Sequence, residues 1–195
     1  MLSSLANTPW LVGLTTFVLM LCDWLLTVAQ EKERAGHYAA HYQSYPVDTI
    51  EGNPALQAAV QRQAIVNLKH LLPAALVGTL AAVVVPALHG ALQHLVLGYL
   101  WGLFLLVGTQ HLSNLIGYRV GRKGIHGKLF LHQRTALLTQ AGRYLSTALF
   151  VSVLFVLSGS AFILGVAVAG FVSALRQFVW LKRVPKILAD DAPPT

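Results

Sequence analysis

Four stretches of this 195-residue chain contain no Lys or Arg: Trp10 to Val28, Leu71 to Leu88, Leu95 to Gly117 and Tyr144 to Leu175. Each is at least 18 residues long, and a helix rising ~1.5 Å per residue crosses a ~30 Å hydrocarbon core in about 20. The last stretch is too long for one crossing. It is interrupted by Ser158-Gly159-Ser160, a turn-forming trio, and therefore predicts a helical hairpin. The pattern gives transmembrane helices over about 10–29, 71–89, 92–118, 137–157 and 161–180. The predicted fold is all-α: residues 1–195 form a single membrane domain, a polytopic bundle of five transmembrane helices with a cytoplasmic loop and helix over 30–70.

Composition agrees. The chain is 55% apolar and 11% charged, with a mean hydropathy of +0.61, whereas soluble domains are ~45–50% apolar. Twelve of the 14 Lys and Arg fall in the segments after helices one, three and five, Arg143 and Arg176 sit toward the ends of helices four and five that adjoin those segments, and the N-terminal tail and the turns at His89–His94 and Ser158–Ser160 hold none. The positive-inside rule then puts the N-terminus outside and the C-terminus in the cytoplasm of a cytoplasmic (inner) membrane. A single crossing over Tyr144–Leu175 would send the basic C-terminus outside, so the rule also favours the hairpin. The net charge of +7 thus reports orientation and attraction to anionic headgroups of the lipid bilayer, and calls for no nucleic acid. Met1 to Pro9 has no basic n-region, so helix one is expected to stay as a span. The single Cys22 carries no redox information.

Between the first two spans, Glu31 to Tyr42 reads as a helical extension of helix one, divided from the rest of the loop at Pro46. Ile50 to Pro54 reads as a turn, with Asn53 as helix cap and Pro54 at the first helical position. From Pro54 to Leu72 the pattern stays helical, an extension of helix two, within which Pro73 and Pro86 predict kinks. Gly98 and Gly102 have the small-x3-small spacing of close helix contacts, suited to internal packing or to a homo-oligomer or membrane-complex partner.

Asp23 is the one carboxylate inside an apolar stretch, and Thr27 follows on the same helical face. His111, Asn114 and Tyr118 share a face of helix three. Counting back from the helix ends puts Asp23 and His111 at equal depth, which allows a proton relay, an acid/base pair or a purely structural hydrogen bond between helices. Lys128, His132, Thr135, Thr139 and Arg143 form a polar stripe along helix four, suited to an anion or to a solvated headgroup-level face. Glu33, His37 and His41 recur every fourth residue, a spacing that suits zinc or copper as well as an interfacial cluster with Tyr38, Tyr42 and Tyr45. There is no His-Glu-x2-His motif, no Gly-x-Ser-x-Gly elbow and no Walker loop.

Asp23-x3-Thr27, followed by Glu51-x-Asn53-Pro54 at the start of the next helix, resembles small uncharacterised prokaryotic multi-pass membrane proteins over residues 20–75. The resemblance implies that Asp23, Thr27, Glu51 and Asn53 work together, and it carries no activity. This chain departs from the pattern by its His- and Tyr-rich insertion.

The expectation is a polar pocket facing the cytoplasm, built from Asp23, Thr27, His111, Asn114, Tyr118, Thr139 and Arg143. Three functions stay open. A transport or channel-type subunit would couple to protons through Asp23 and His111, with Asn114 beside them. A membrane-embedded enzyme would act on a lipid-linked or amphipathic anionic substrate, with His111 as acid/base and Thr27, Tyr118, Thr139 and Arg143 as binding residues. A non-catalytic assembly subunit would use the same polar groups only to join helices.

Overall fold

The computed structural model describes residues 2–41, 48–122, 124 and 126–184. Among them the chain is all-helical: α1 (Leu2–Ala6), α2 (Pro9–Glu33), α3 (Pro54–Gln61), α4 (Leu68–Ala87), α5 (Gly90–Gly121), α6 (Gln133–Ser158) and α7 (Ala161–Leu181). Five of these helices, α2 and α4 to α7, are long and apolar enough to cross a membrane, the architecture of a multi-pass membrane protein. Large apolar side chains such as Leu76, Val83, Phe150, Val156 and Leu157 stand exposed around them, as a lipid-facing surface requires.

The spanning helices form a row rather than a closed ring. α2 packs on α4 and α5, α7 lies against both α5 and α6, and α6 stands off from α5. Glycines set the close approaches. A Cβ on Gly165 would lie 2.1 Å from the Leu95 carbonyl oxygen, and one on Gly98 would lie 2.0 Å from that of Phe162, so α5 and α7 touch backbone to backbone. Gly13 and Gly78 play the same part between α2 and α4, and Gly170 rests on Ala148 of α6. The small-x3-small spacing at Gly98 and Gly102 thus serves an internal seam. At the end away from the basic residues, Gln93 Nε2 donates to Asn7 Oδ1 at 2.8 Å, and Trp101 Nε1 donates to Thr16 Oγ1 at 3.1 Å in the interior.

Several local expectations are corrected. The helix from Pro54 does not continue to Leu72: α3 ends at Gln61, and Gln63 takes a left-handed φ of 55°. A new helix starts at Leu68 with the Asn67 side chain accepting from the Lys69 N–H. After Glu33 the α2 winding widens into a π turn over Arg34–Tyr38 and then tightens at Ala39–His41, so the extension is not a regular α-helix. Tyr42, Tyr45 and Pro46 lie outside the described residues. The polar stripe loses its first member: His132 is the N-cap of α6, accepting from the Arg134 N–H, and Lys128 lies before the helix. Asn53 does cap α3, with Pro54 at its first position. Gly159, at φ 63°, ends α6 in the left-handed conformation and opens the turn to α7.

Candidate functional site

Where α2 faces α5, their polar residues meet. His111 Nε2 lies 3.3 Å from Asp23 Oδ1 and 3.4 Å from Thr27 Oγ1. Asp23 Oδ1 is buried and has no hydrogen bond of good geometry, so the imidazole facing it supplies its compensation. The Thr27 hydroxyl donates to the Asp23 main-chain carbonyl at 3.0 Å, which leaves its oxygen to accept from the ring.

Gln30, fully buried one turn further on, completes the arrangement. Its Nε2 reaches the Leu26 carbonyl at 3.3 Å and His111 Nδ1 at 2.6 Å. An amide nitrogen only donates, so this assignment makes Nδ1 the acceptor and puts the imidazole proton on Nε2, toward Asp23 and Thr27. A second proton on Nδ1 would require the Gln30 amide to turn its oxygen to the ring. Sequence reasoning missed Gln30, because a glutamine near a helix end looks like an ordinary boundary residue.

A network at the basic end holds the first loop beside these groups. Glu31 and Arg34 are both buried, paired at 2.6 Å. Arg34 also donates to the Asp48 carbonyl, while the Thr49 hydroxyl and Ile50 N–H donate to Glu31 Oε2 at 3.2 and 3.0 Å. The loop thus hangs from the end of α2 and presents Glu51. Burial pushes the Glu51 carboxyl above its ordinary value of 4.5; the Asn53 N–H donating to it works against that rise, and nearby Asp23 adds to it. Glu51 therefore shares the local field of Asp23, His111 and His70. His70 stacks on Trp24 with ring centroids 5.0 Å apart.

His111 opens into a cleft of about 570 Å³ between α5 and α6. Asn114, Tyr118, Thr139 and Arg143 line it, with Gln30 at the α2 side. Arg143 Nη1 donates to Asn114 Oδ1 at 3.2 Å across the cleft. Asp23 and Thr27 reach this space through His111. Tyr118 also has a structural part: its carbonyl accepts from the Tyr38 hydroxyl and its ring lies 5.0 Å from that of Tyr38, which pins the α2 extension to α5.

The proposed metal ligands are not brought together. Glu33 is drawn to Arg119 and Arg122, His37 is exposed, and His41 Nδ1 meets the Gly127 carbonyl. The π turn breaks the four-residue register on which a shared face depended. Among the described residues no group of three His, Cys, Asp or Glu gathers as a metal site.

Compared with known protein families, curated proteins and solved structures, the chain matches none.

Proposed function

We propose that the protein is a transport or channel-type subunit of the cytoplasmic membrane, proton-coupled through Asp23 and His111, with its basic end and polar cleft toward the cytoplasm. The observation that carries this reading is the Asp23–His111 contact at 3.3 Å, inside two apolar spans and continuous with an open polar cleft. An intramembrane carboxylate facing an imidazole is costly unless it is paired, and such pairs serve as proton relays. The Lys and Arg distribution supports the orientation. A row of five spans with one flank open also suits completion by a second copy or a membrane-complex partner.

The test is proton flux in liposomes that enclose a pH-sensitive dye, driven by an imposed potential. Wild type should acidify the lumen faster than empty liposomes, and Asp23→Asn and His111→Ala should fall to the empty-liposome rate. Equal rates in wild type, both variants and empty liposomes would sink the reading.

Arg143 in the cleft favours a second reading, an enzyme acting on an amphipathic anionic substrate with His111 as acid/base. It predicts that His111→Ala binds substrate without turning it over. A purely structural assembly role predicts lowered stability in Asp23→Asn and no other change.

A further inference from the structure

The cleft at His111 is one half of a longer groove. A second cleft, about 560 Å³, continues along α5 and α6 toward the opposite end of the bundle, and the two share Gln110, Ser113, Thr139 and Arg143. Arg143 stands at their junction. The second cleft adds Thr109, Ser146 and Thr147, so hydroxyls face one another across a gap between two apolar spans. Both helices pack on α7, no residue of which lines either cleft.

α7 carries buried polar residues at the same level. Val166 lies under Gly102 and Ala148 under Gly170, a register that carries Ser173 to the level of Thr109 and Gln177 to that of Ser113. Gln177 is 1% exposed and its Oε1 has no hydrogen-bond partner.

Leu106 lines the second cleft beside these hydroxyls, and one turn further on Leu105 and Phe150 stand exposed at 46% and 65% on the two helices. Arg143 lies about 15 Å along α6 from its start at Gln133, at ~1.5 Å per residue, below the basic rim rather than on it. A cation with hydroxyls around it at the inner end and apolar walls leading away from it match an amphiphile with an anionic head.

We propose that the α5–α6 groove binds a phosphate-type anionic headgroup at Arg143, entered sideways from the bilayer, with the acyl chain along Leu105 and Phe150. Arg143 supplies charge and the fork of donors that planar oxyanions accept, while the Thr139 hydroxyl supplies a directed hydrogen bond; that of Thr147 already donates to the Arg143 main-chain carbonyl at 2.9 Å. The inference rests on the groove and not on proton movement at His111, so lipid binding and flux can fail separately.

The test is native mass spectrometry of the full chain released from nanodiscs containing equal phosphatidylcholine and phosphatidate. Wild type should retain phosphatidate about tenfold over phosphatidylcholine, a difference of ~1.4 kcal/mol. Arg143→Gln should bring the ratio to unity and Arg143→Lys to an intermediate value, and Thr139→Val should lower it with the charge intact. Lys128→Gln, which removes an exposed cation outside the groove, should leave it unchanged. Equal retention of the two lipids, or equal losses in Lys128→Gln and Arg143→Gln, would overturn the proposal. Inorganic phosphate added to the wild type should not displace the lipid; displacement would assign the site to a free anion and overturn the lateral-entry part. Size-exclusion profiles of each variant establish that the fold persists.

Discussion

Glu31 is where the structure makes its strongest quantitative demand. The side chain is 2% exposed and accepts from Arg34 Nη2 at 2.6 Å, from Arg34 Nε at 3.2 Å, from the Thr49 hydroxyl and from the Ile50 N–H. In Glu31→Gln the shape survives, but one arm becomes a donor facing donors and the buried guanidinium loses its carboxylate. Breaking a buried ion pair costs ~3–5 kcal/mol. The Asp48 carbonyl still accepts from Arg34 Nη2 at 2.6 Å, so the lower end applies, ~3 kcal/mol or about two decades in the unfolding constant. The assay is unfolding in mixed micelles followed by helicity, with hydrogen exchange over residues 48–52 as the local readout. Adding Arg34→Met to the variant removes the uncompensated charge and should restore stability to within about 1 kcal/mol of wild type. A single-variant cost below about 1 kcal/mol, or a double variant weaker than the single, would refute the view that this pair anchors the loop carrying Glu51.

Glu51 gives a pH dependence of defined sign. Its folded-state pKa is raised above 4.5, so its contribution is fully present below that value and is lost as pH rises through the raised folded pKa. Glu51→Gln should therefore flatten the fall in melting temperature as pH rises above about 4.5. Gly165→Ala should destabilise by about 1–3 kcal/mol, because its Cβ meets the backbone of α5, and Gly108→Ala, with open space around it, should be neutral or stabilising in the same melts. Gln63→Gly removes left-handed strain after α3 and should raise stability by about 1 kcal/mol, measured by the same unfolding curves.

What the chain reveals before folding follows from how local each cause is. Runs without Lys or Arg mark the spans because crossing a membrane is decided by the segment itself. The hairpin turn is equally local, since Gly159 can take the conformation that ends α6. Depth counting brings Asp23 and His111 to one level, because both helices end at the same boundary. The metal trio fails for the opposite reason: the π turn is invisible to periodicity, and Arg119 and Arg122, far off in sequence, capture Glu33. The break at Gln63 escapes notice because glutamine is no usual left-handed residue, and Lys128 looks helical until the His132 cap excludes it. Gln30 and Gln177 acquire meaning only from what surrounds them.

The outermost place of α6 in the row has a consequence for biosynthesis. An arginine at mid-helix costs ~2.5–3.5 kcal/mol at insertion, and α6 is the least apolar of the five spans. Its main packing partner, α7, is made after it, and the earlier α5 meets it chiefly across the cleft, through the Arg143–Asn114 hydrogen bond. Insertion of α6 should therefore draw on α7, so a stop codon placed after Gly159 is expected to lower the fraction of chains in which α6 enters the bilayer.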